Sequence, residues 1–364
     1  MKICFYAPLK SPDHPVPSGD RMMARLLIRA LEMAGHEVEV VSHLRSFHRT
    51  PDAYAALRNE AEDELQRLRQ RWKNTPKPDL WFSYHVYYKS PDLLGPVICK
   101  ELDIPYVTAE ASYAAKRDAD GWQAEQESVR GAVATAALNL CFTARDRDGL
   151  AKLMPEASLA LLPPFIDVAP YRQPANRDPA RLVTIAMMRK GDKFASFDML
   201  ASALARLEDR DWTLSIIGDG PEKAAVQALF SPFGDRIEWV GQKSETEIAA
   251  LLQTGGIYVW PGVGEAYGIA YLEAEAAGLP VIAQATAGVP AVVMSGTTGL
   301  LVEEGNIEAY ANAIRSLLDN PEGALVLGQA ARRFVHDERS LEQAAIRING
   351  LLQGLMREHE KAKG

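Results

Sequence analysis

The chain is poor in cysteine, with three among 364 residues, and Cys4, Cys99 and Cys141 each stand alone. Because the sequence has no CxxC pair and no set of closely spaced cysteines, it indicates neither a zinc site nor a disulfide framework. Three buried, reduced thiols are the simplest interpretation.

Long apolar runs and an excess of basic residues are also missing. The N-terminal MKICFYAP has too short an apolar stretch for a signal peptide, and no segment approaches the ~20 apolar residues of a membrane helix. The net charge of −8 has the wrong sign for a protein that neutralises nucleic-acid phosphates. We therefore expect a cytoplasmic protein without a nucleic-acid partner. The charged segment 58–73 mixes both signs and predicts a solvated helix, so peripheral membrane contact has no support.

What is present is an ordinary globular composition, with 47% apolar and 24% charged residues, in a chain long enough for two α/β domains. Apolar runs alternate with amphipathic helical segments along most of the chain. The predicted strands are 2–6, 37–42, 80–84, 105–108, 138–143 and 158–162, then 182–188, 213–217, 237–240, 257–260 and 280–284.

The segment 167–181 has no periodicity and carries three prolines, as expected of a linker. We predict an N-terminal Rossmann-like domain over 1–166, a linker over 167–181 and a C-terminal Rossmann-like domain over 182–340, with a cleft between the domains. The last predicted helix has no strand after it and could pack on either domain; we assign 341–364 to the N-terminal one. The expected oligomeric state is a monomer or a homodimer.

The strand 257–260 runs into the loop PGVGEAYG, which opens a short helix that Gly278 closes. The N–H groups of Gly268, Ile269 and Ala270 should be free at that helix N-terminus, where the macrodipole favours an anion such as a diphosphate. Glu265 in the loop and Glu273 in the helix could line one site. The alternative is that Glu265 is only a loop carboxylate and Glu273 a solvated helix residue like Glu275.

Two cations, Arg189 and Lys193, follow the strand 182–188, with Lys190 as a rival for the role of Lys193. Cations there would stabilise a diphosphate leaving group as its charge grows. A solvated basic surface is the alternative. The two Asp-x-Asp segments, 146–148 and 209–211, are better interpreted as helix caps and surface charge than as a metal site.

The stretch Glu265-AYGIAYL-Glu273, followed by AxxxGLPVIA, resembles the E-x7-E motif of the retaining, metal-independent glycosyltransferases of the GT-B fold, in family 4 (glycosyl transferases group 1). The resemblance implies that Glu265 contacts the donor sugar, that Glu273 contacts the ribose hydroxyls, and that amides near Gly268 and Ile269 hold the donor. Arg189 and Lys193 match the family's arginine and lysine, although the loop between them is shortened.

Weaker resemblances extend to other strand ends. The segments around Gly218 and around Gly241 and Gln242 are similar to family segments near the nucleotide. Gly19 matches one of two glycines usually found beside the phosphates, whereas Asp20 replaces the other. Where the family often has a histidine near the donor sugar, this chain has Glu110. With His85, which ends its strand, Glu110 is a candidate for acceptor or sugar contact; a structural histidine is the alternative for His85.

The resemblance as a whole implies transfer of a sugar from a nucleotide-diphospho-sugar, with UDP or GDP as the nucleotide and with retention of configuration. No cofactor or metal is expected, and the acceptor would be a glycan, a glycolipid or a small molecule. Two alternatives remain at this stage. One is a sugar-nucleotide epimerase or hydrolase on the same fold, and the other is a non-catalytic sugar-nucleotide binding protein.

Overall fold

The computed structural model describes residues 1–171 and 177–363, without the side chains of 116 and 119. Residues 172–176 of the predicted linker lie outside this range. The chain divides into two compact units. The first comprises Met1–Pro163 together with Leu341–Gly364, and the second comprises Pro164–Ser340.

The N-terminal unit contains a six-stranded, all-parallel sheet in the order β2-β1-β3-β4-β5-β6. Helices connect most of the successive strands, as parallel pairing requires. The strands are β1 Lys2–Tyr6, β2 Glu37–Val40, β3 Leu80–Tyr84, β4 Tyr106–Ala109, β5 Leu138–Cys141 and β6 Leu159–Leu161. The helices are α1 Gly19–Met33, α2 Tyr54–Asn74, α3 Gly95–Leu102, α4 Gln123–Thr135, α5 Ala144–Leu153 and, at the end of the chain, α12 Leu341–Lys363.

The C-terminal unit repeats this plan with a second six-stranded parallel sheet, in the order β12-β11-β10-β7-β8-β9. Its strands are β7 Arg181–Ile185, β8 Thr213–Ile217, β9 Ile237–Gly241, β10 Ile257–Val259, β11 Val281–Gln284 and β12 Gly299–Val302. Its helices are α6 Asp192–Leu204, α7 Lys223–Phe230, α8 Glu245–Thr254, α9 Ile269–Ala277, α10 Ile307–Leu318 and α11 Pro321–Glu338.

The predicted α/β class with two parallel sheets is confirmed, and the sequence missed one strand. β12 is a short edge strand paired only with β11, and it opens with a glycine. A four-residue run carries too little periodicity to identify. All three cysteines are buried and free, as expected.

Each sheet has one point at which the direction of winding reverses. In the N-terminal sheet, β1 lies between β2 and β3; in the C-terminal sheet, β7 lies between β10 and β8. The connections after the two strands that meet at such a point run to opposite sides, which opens a crevice at the carboxyl edge. The crevices therefore lie beyond the ends of β1 and β3 and beyond the ends of β7 and β10.

The last helix, α12, packs against α1 within the N-terminal unit. Its buried stripe, which includes Leu341, Ile348 and Leu352, has helical spacing. Among the described residues, no helix combines the length and the apolar character needed to cross a membrane.

Candidate active site

The turn between β10 and α9 is built on glycines that occupy left-handed backbone conformations. Gly262, Gly264 and Gly268 have φ of +69°, +63° and +78°, which other residues rarely adopt. The ring of Tyr271 packs under the turn, and its hydroxyl donates to the Trp260 carbonyl at 3.1 Å. A Cβ at position 268 would lie 2.5 Å from that ring. Only glycine fits this position without displacement.

Gly268 is the N-cap of α9, so the predicted helix start is confirmed. The cap has no side-chain hydrogen bond, and the first N–H groups of a helix have no acceptor within it. The amides of Ile269 and Ala270 therefore present partial positive charge to a ligand. The Gly278 C-cap has φ +83° and closes the helix as expected.

Glu265 and Lys193 meet at the crevice of the C-terminal sheet. Lys193 Nζ lies 2.5 Å from Glu265 Oε2, and the two side chains are 31% and 19% exposed. Lys193 belongs to the first turn of α6, after β7, and Glu265 belongs to the loop after β10. The structure thus brings together two predicted residues that the sequence placed on separate loops.

Several contacts attach the glutamate loop to the start of α6. The Val263 N–H donates to Ser196 Oγ at 2.9 Å, and Ser196 Oγ donates to the Asp192 carbonyl at 2.8 Å. A Cβ on Gly264 would meet Asp192 Oδ2 at 2.5 Å. Lys193 Nζ also lies 5.4 Å from the centroid of the Trp260 ring. Ser196 and Asp192 carry no motif signal of their own, so the sequence did not single them out.

Glu273 is buried, with 7% exposure. Burial, assisted by the nearby charge of Glu245, raises its pKa to about 8. Glu275 is completely buried as well, and its burial raises its pKa well above the usual range. The alternative, that Glu273 is a solvated helix residue like Glu275, is therefore wrong, because neither side chain is exposed to solvent. Eight of the nine residues of α9 are buried, so this helix has almost no solvated face.

Arg189 and Lys190 are both exposed at the carboxyl end of β7. Lys190 is 88% exposed, and its Nζ lies 3.9 Å from Glu222 Oε1. Lys193 is the lysine that lies next to Glu265, whereas Lys190 approaches the turn after β8. Within the described part of the chain, Arg189 makes no ion pair.

The turn after β8 lies directly against the loop after β7. A Cβ on Gly218 would collide with the Ala186 carbonyl oxygen, and the Gly218 N–H donates to the Gly241 carbonyl at 2.9 Å. Met188 N–H donates to the Asp219 carbonyl at 3.0 Å. Gly241 has φ +76° at the end of β9, and Gln242 after it is exposed. The predicted glycine positions thus share one edge of the sheet with Arg189.

The N-terminal unit carries a second cluster at its own crevice. Asp20 lies in the first turn of α1, beside Gly19, which starts the helix after the Ser18 cap. His85 Nδ1 lies 3.0 Å from Asp20 Oδ1. His85 and Glu110 follow β3 and β4 directly, with φ of +61° and +56°. Non-glycine residues in this conformation are strained and concentrate at functional sites.

The three side chains influence one another's protonation. Burial opposes a charge on His85, but Glu110 and Asp20 outweigh it and raise the pKa of His85 to about 9. Burial raises the pKa of Glu110, although the His85 charge acts in the opposite direction. The pKa of Asp20 is lowered, because its contact with His85 outweighs the effect of burial. His85 is therefore paired with Asp20, and the nearby charge of Glu110 also favours its protonated form.

In the described residues, no group of three or more His, Cys, Asp or Glu side chains is arranged to hold a metal ion. Of the two Asp-x-Asp segments, the first follows the Thr143 cap of α5, where Asp146 Oδ2 accepts from the Thr143 hydroxyl at 2.7 Å. In the second, Asp209 pairs with Arg210.

Two parallel six-stranded units, each with polar groups at its crevice, define a protein of the GT-B fold class. Sucrose-phosphate synthase from Thermosynechococcus elongatus superposes with a TM-score of 0.77 at 19% identity, covering 98% of this chain and 99% of that one. HepE of Anabaena, in complex with UDP and glucose, gives 0.71 at 15% identity, covering 97% and 99%. Residues 179–320 match the family model of the glycosyl transferases group 1. The chain accordingly has the GT-B fold, and its residues 179–320, which include the E-x7-E motif, are similar to that group.

Curated relatives match shorter stretches. A GDP-mannose-dependent alpha-(1-6)-phosphatidylinositol monomannoside mannosyltransferase of Mycolicibacterium smegmatis is 31% identical over 224 residues, which are 55% of this chain and 57% of that protein. A 2-deoxystreptamine glucosyltransferase of Streptomyces kanamyceticus is 33% identical over 147 residues, 39% and 38% of the two chains. The chain thus spans about half the length, or less, of these relatives.

Proposed function

We propose that this chain is a glycosyltransferase that moves a sugar from a nucleotide-diphospho-sugar to an acceptor, without a metal ion and with retention of the anomeric configuration. The observation that carries the proposal is the Lys193–Glu265 pair at the crevice of the C-terminal unit. Glu265 lies on the loop that leads into α9, whose N-cap makes no side-chain hydrogen bond. This arrangement offers a cation, helix amides and a carboxylate to a diphosphate and its attached sugar.

The roles of the residues follow from their chemistry. Amides at Gly268, Ile269 and Ala270 donate to the diphosphate, and Arg189 and Lys193 stabilise the charge that grows on it as the glycosidic bond breaks. Glu265 accepts hydrogen bonds from the donor sugar, and Glu273 accepts them from the ribose. The loops containing Gly218, Gly241 and Gln242 contact the base. Nucleoside binding thus spreads along one edge of the sheet.

Retention is proposed from the family resemblance. The oxygens of the departing diphosphate would assist attack of the acceptor on the same face of the sugar. In the N-terminal unit, Glu110 and the His85–Asp20 pair would contact the acceptor or the sugar through hydroxyl groups. UDP and GDP are the proposed nucleotides, because relatives carry GDP-mannose or UDP in their descriptions. The acceptor class is a glycan, a glycolipid or a small molecule.

The first experiment is a thermal-stability screen against UDP-, GDP-, ADP-, CMP- and dTDP-linked sugars. A ligand that binds only the folded protein raises its melting temperature. We expect one nucleoside-diphosphate class to raise it selectively. The same shift should be lost in Arg189→Ala and in Glu273→Ala. No shift with any nucleotide would contradict the proposed donor.

Turnover tests the role of Arg189 once the donor is known. Arg189→Ala should lower the rate by roughly 10²-fold, because it removes charge stabilisation from the transition state. The matched control is Lys190→Ala, which removes the same charge from the adjacent, exposed position. If the two variants lose activity equally, Arg189 contributes only to the general field and its proposed role is wrong.

A further inference from the structure

We propose that the Lys193–Glu265 ion pair makes the donor site select a nucleotide sugar over the free nucleoside diphosphate. The proposal rests on the donor-binding function proposed above. It assigns to the pair a discrimination between substrate and product, in addition to the separate contacts of each residue.

Lys193 and Glu265 form a close ion pair with each other. Lys193 Nζ and Glu265 Oε2 are 2.5 Å apart, and among the described residues neither side chain makes another ion pair. Both side chains are partly shielded from solvent, at 31% and 19% exposure. Charged groups in such surroundings interact more strongly than on an open surface. The charge of the lysine is therefore balanced by a carboxylate of the same chain.

The backbone around the pair holds it in place. The Val263 N–H donates a hydrogen bond to Ser196 on α6. The Glu265 N–H donates to the Gly262 carbonyl at 3.0 Å. Gly264 has φ +63°, and a Cβ there would meet the Asp192 carboxylate. Because the loop is attached to the helix that carries Lys193, Glu265 cannot withdraw far when the lysine turns to another anion.

A free nucleoside diphosphate must draw Lys193 away from Glu265. The Glu265 carboxylate then remains partly shielded from solvent and without its cation, beside the negative charge of the diphosphate. A nucleotide sugar offers hydroxyl donors to the same carboxylate, so the lost ion pair is replaced by hydrogen bonds. Loss of the ion pair thus weakens binding of the free nucleoside diphosphate. It weakens binding of the nucleotide sugar much less. After transfer, the re-formed pair would favour release of the product.

Titration calorimetry with two ligand pairs, UDP with UDP-glucose and GDP with GDP-mannose, tests this. In Glu265→Gln, Lys193 is free for the phosphates, while the sugar keeps only a neutral amide oxygen as acceptor in place of the carboxylate. We expect the nucleoside diphosphate to bind about tenfold more tightly than in the parent, which corresponds to ~1.4 kcal/mol. The nucleotide sugar should bind the variant no more tightly than it binds the parent. The Kd of the nucleoside diphosphate divided by the Kd of the nucleotide sugar should therefore fall about tenfold.

Glu222→Gln is the matched control. Glu222 is 20% exposed and approaches Lys190, not Lys193, so its neutralisation changes the net charge equally without releasing the lysine. Its Kd ratio should stay within twofold of the parent. Glu265→Ala, which also lacks the carboxylate, should tighten nucleoside-diphosphate binding in the same direction, and melting curves establish that each variant is folded.

The outcomes separate the two proposals. If both ligands bind the parent but the Kd ratio is the same in Glu265→Gln, or changes equally in Glu222→Gln, the discrimination is disproved and the donor site stands. If neither ligand pair binds the parent, the proposed donor is wrong, and the discrimination falls with it.

Discussion

At the scale of single residues, burial decides the state of several acidic groups. Glu273 and Glu275 lie two positions apart on α9, and both are enclosed. In a sequence, such glutamates look like those of any solvated helix, because the pattern around them does not reveal what packs on each face. Their chemistry depends on neighbours from other parts of the chain.

Glu273→Gln should change how stability depends on pH. The folded state holds the Glu273 proton up to a pKa of about 8, whereas the unfolded chain releases it near 4.5. The folded state thus binds more protons between these values, so stability falls as pH rises from about 4.5 to about 8. Glutamine removes this loss. The melting temperatures of Glu273→Gln and the parent should agree near pH 4.5. At pH 8.5 the melting temperature of the variant should be higher by at least ~3 °C.

The isosteric substitution Glu265→Gln serves as the control for this pH series, since it changes a partly exposed carboxyl group. A constant difference between Glu273→Gln and the parent at all pH values would show that packing, and not ionisation, causes the change.

The charge on His85 should depend on Asp20. Removing the carboxylate in Asp20→Asn leaves burial opposed only by Glu110, so the pKa of His85 should fall from about 9. Titration of the histidine ring signals by NMR measures it, with His85→Asn used to assign the signal. The signals of the other six histidines serve as internal references. A His85 pKa that stays near 9 in Asp20→Asn would show that Asp20 does not raise it.

At the scale of elements, the turn before α9 leaves little room for added atoms. Gly268 combines a left-handed φ of +78° with the close ring of Tyr271. Its neighbours on the loop are held to α6 through Ser196. Substitution there must strain the backbone and displace the ring, which would move the helix amides proposed to hold the diphosphate.

Gly268→Ala should destabilise the protein by about 1–3 kcal/mol through backbone strain. The collision of the new Cβ with the Tyr271 ring should add to this loss. Nucleotide binding should weaken as well. Gly305→Ala provides the comparison, because Gly305 has φ +75° but no atom within 4 Å of a new Cβ. Denaturant unfolding of both variants isolates the collision. Equal destabilisation would show that the Tyr271 contact does not matter.

At the scale of the whole molecule, the two units have the same architecture, and each places its polar cluster where the winding of its sheet reverses. The chain completes the first unit only at its end, when α12 packs on α1. Polar groups converge at these points because loops from neighbouring strands leave in opposite directions.

Metal independence is a prediction for the proposed activity of the whole molecule. Since Arg189 and Lys193 supply the positive charge proposed for the diphosphate, turnover after treatment with EDTA should stay within twofold of the untreated value. Added Mg²⁺ or Mn²⁺ should not raise it further. A loss of activity in EDTA that Mn²⁺ restores would assign the diphosphate contact to a metal ion.

The sequence by itself determined the alternation of strands and helices, the start of α9 at Gly268 and its end at Gly278, and the E-x7-E motif. These features depend on local periodicity, backbone freedom and residue spacing. Only the tertiary structure decided that β10 lies beside β7 and β3 beside β1, which places Glu265 against Lys193 and Asp20 against His85. Strand order and burial arise from the packing of elements distant in sequence, and no local pattern encodes which of them become neighbours.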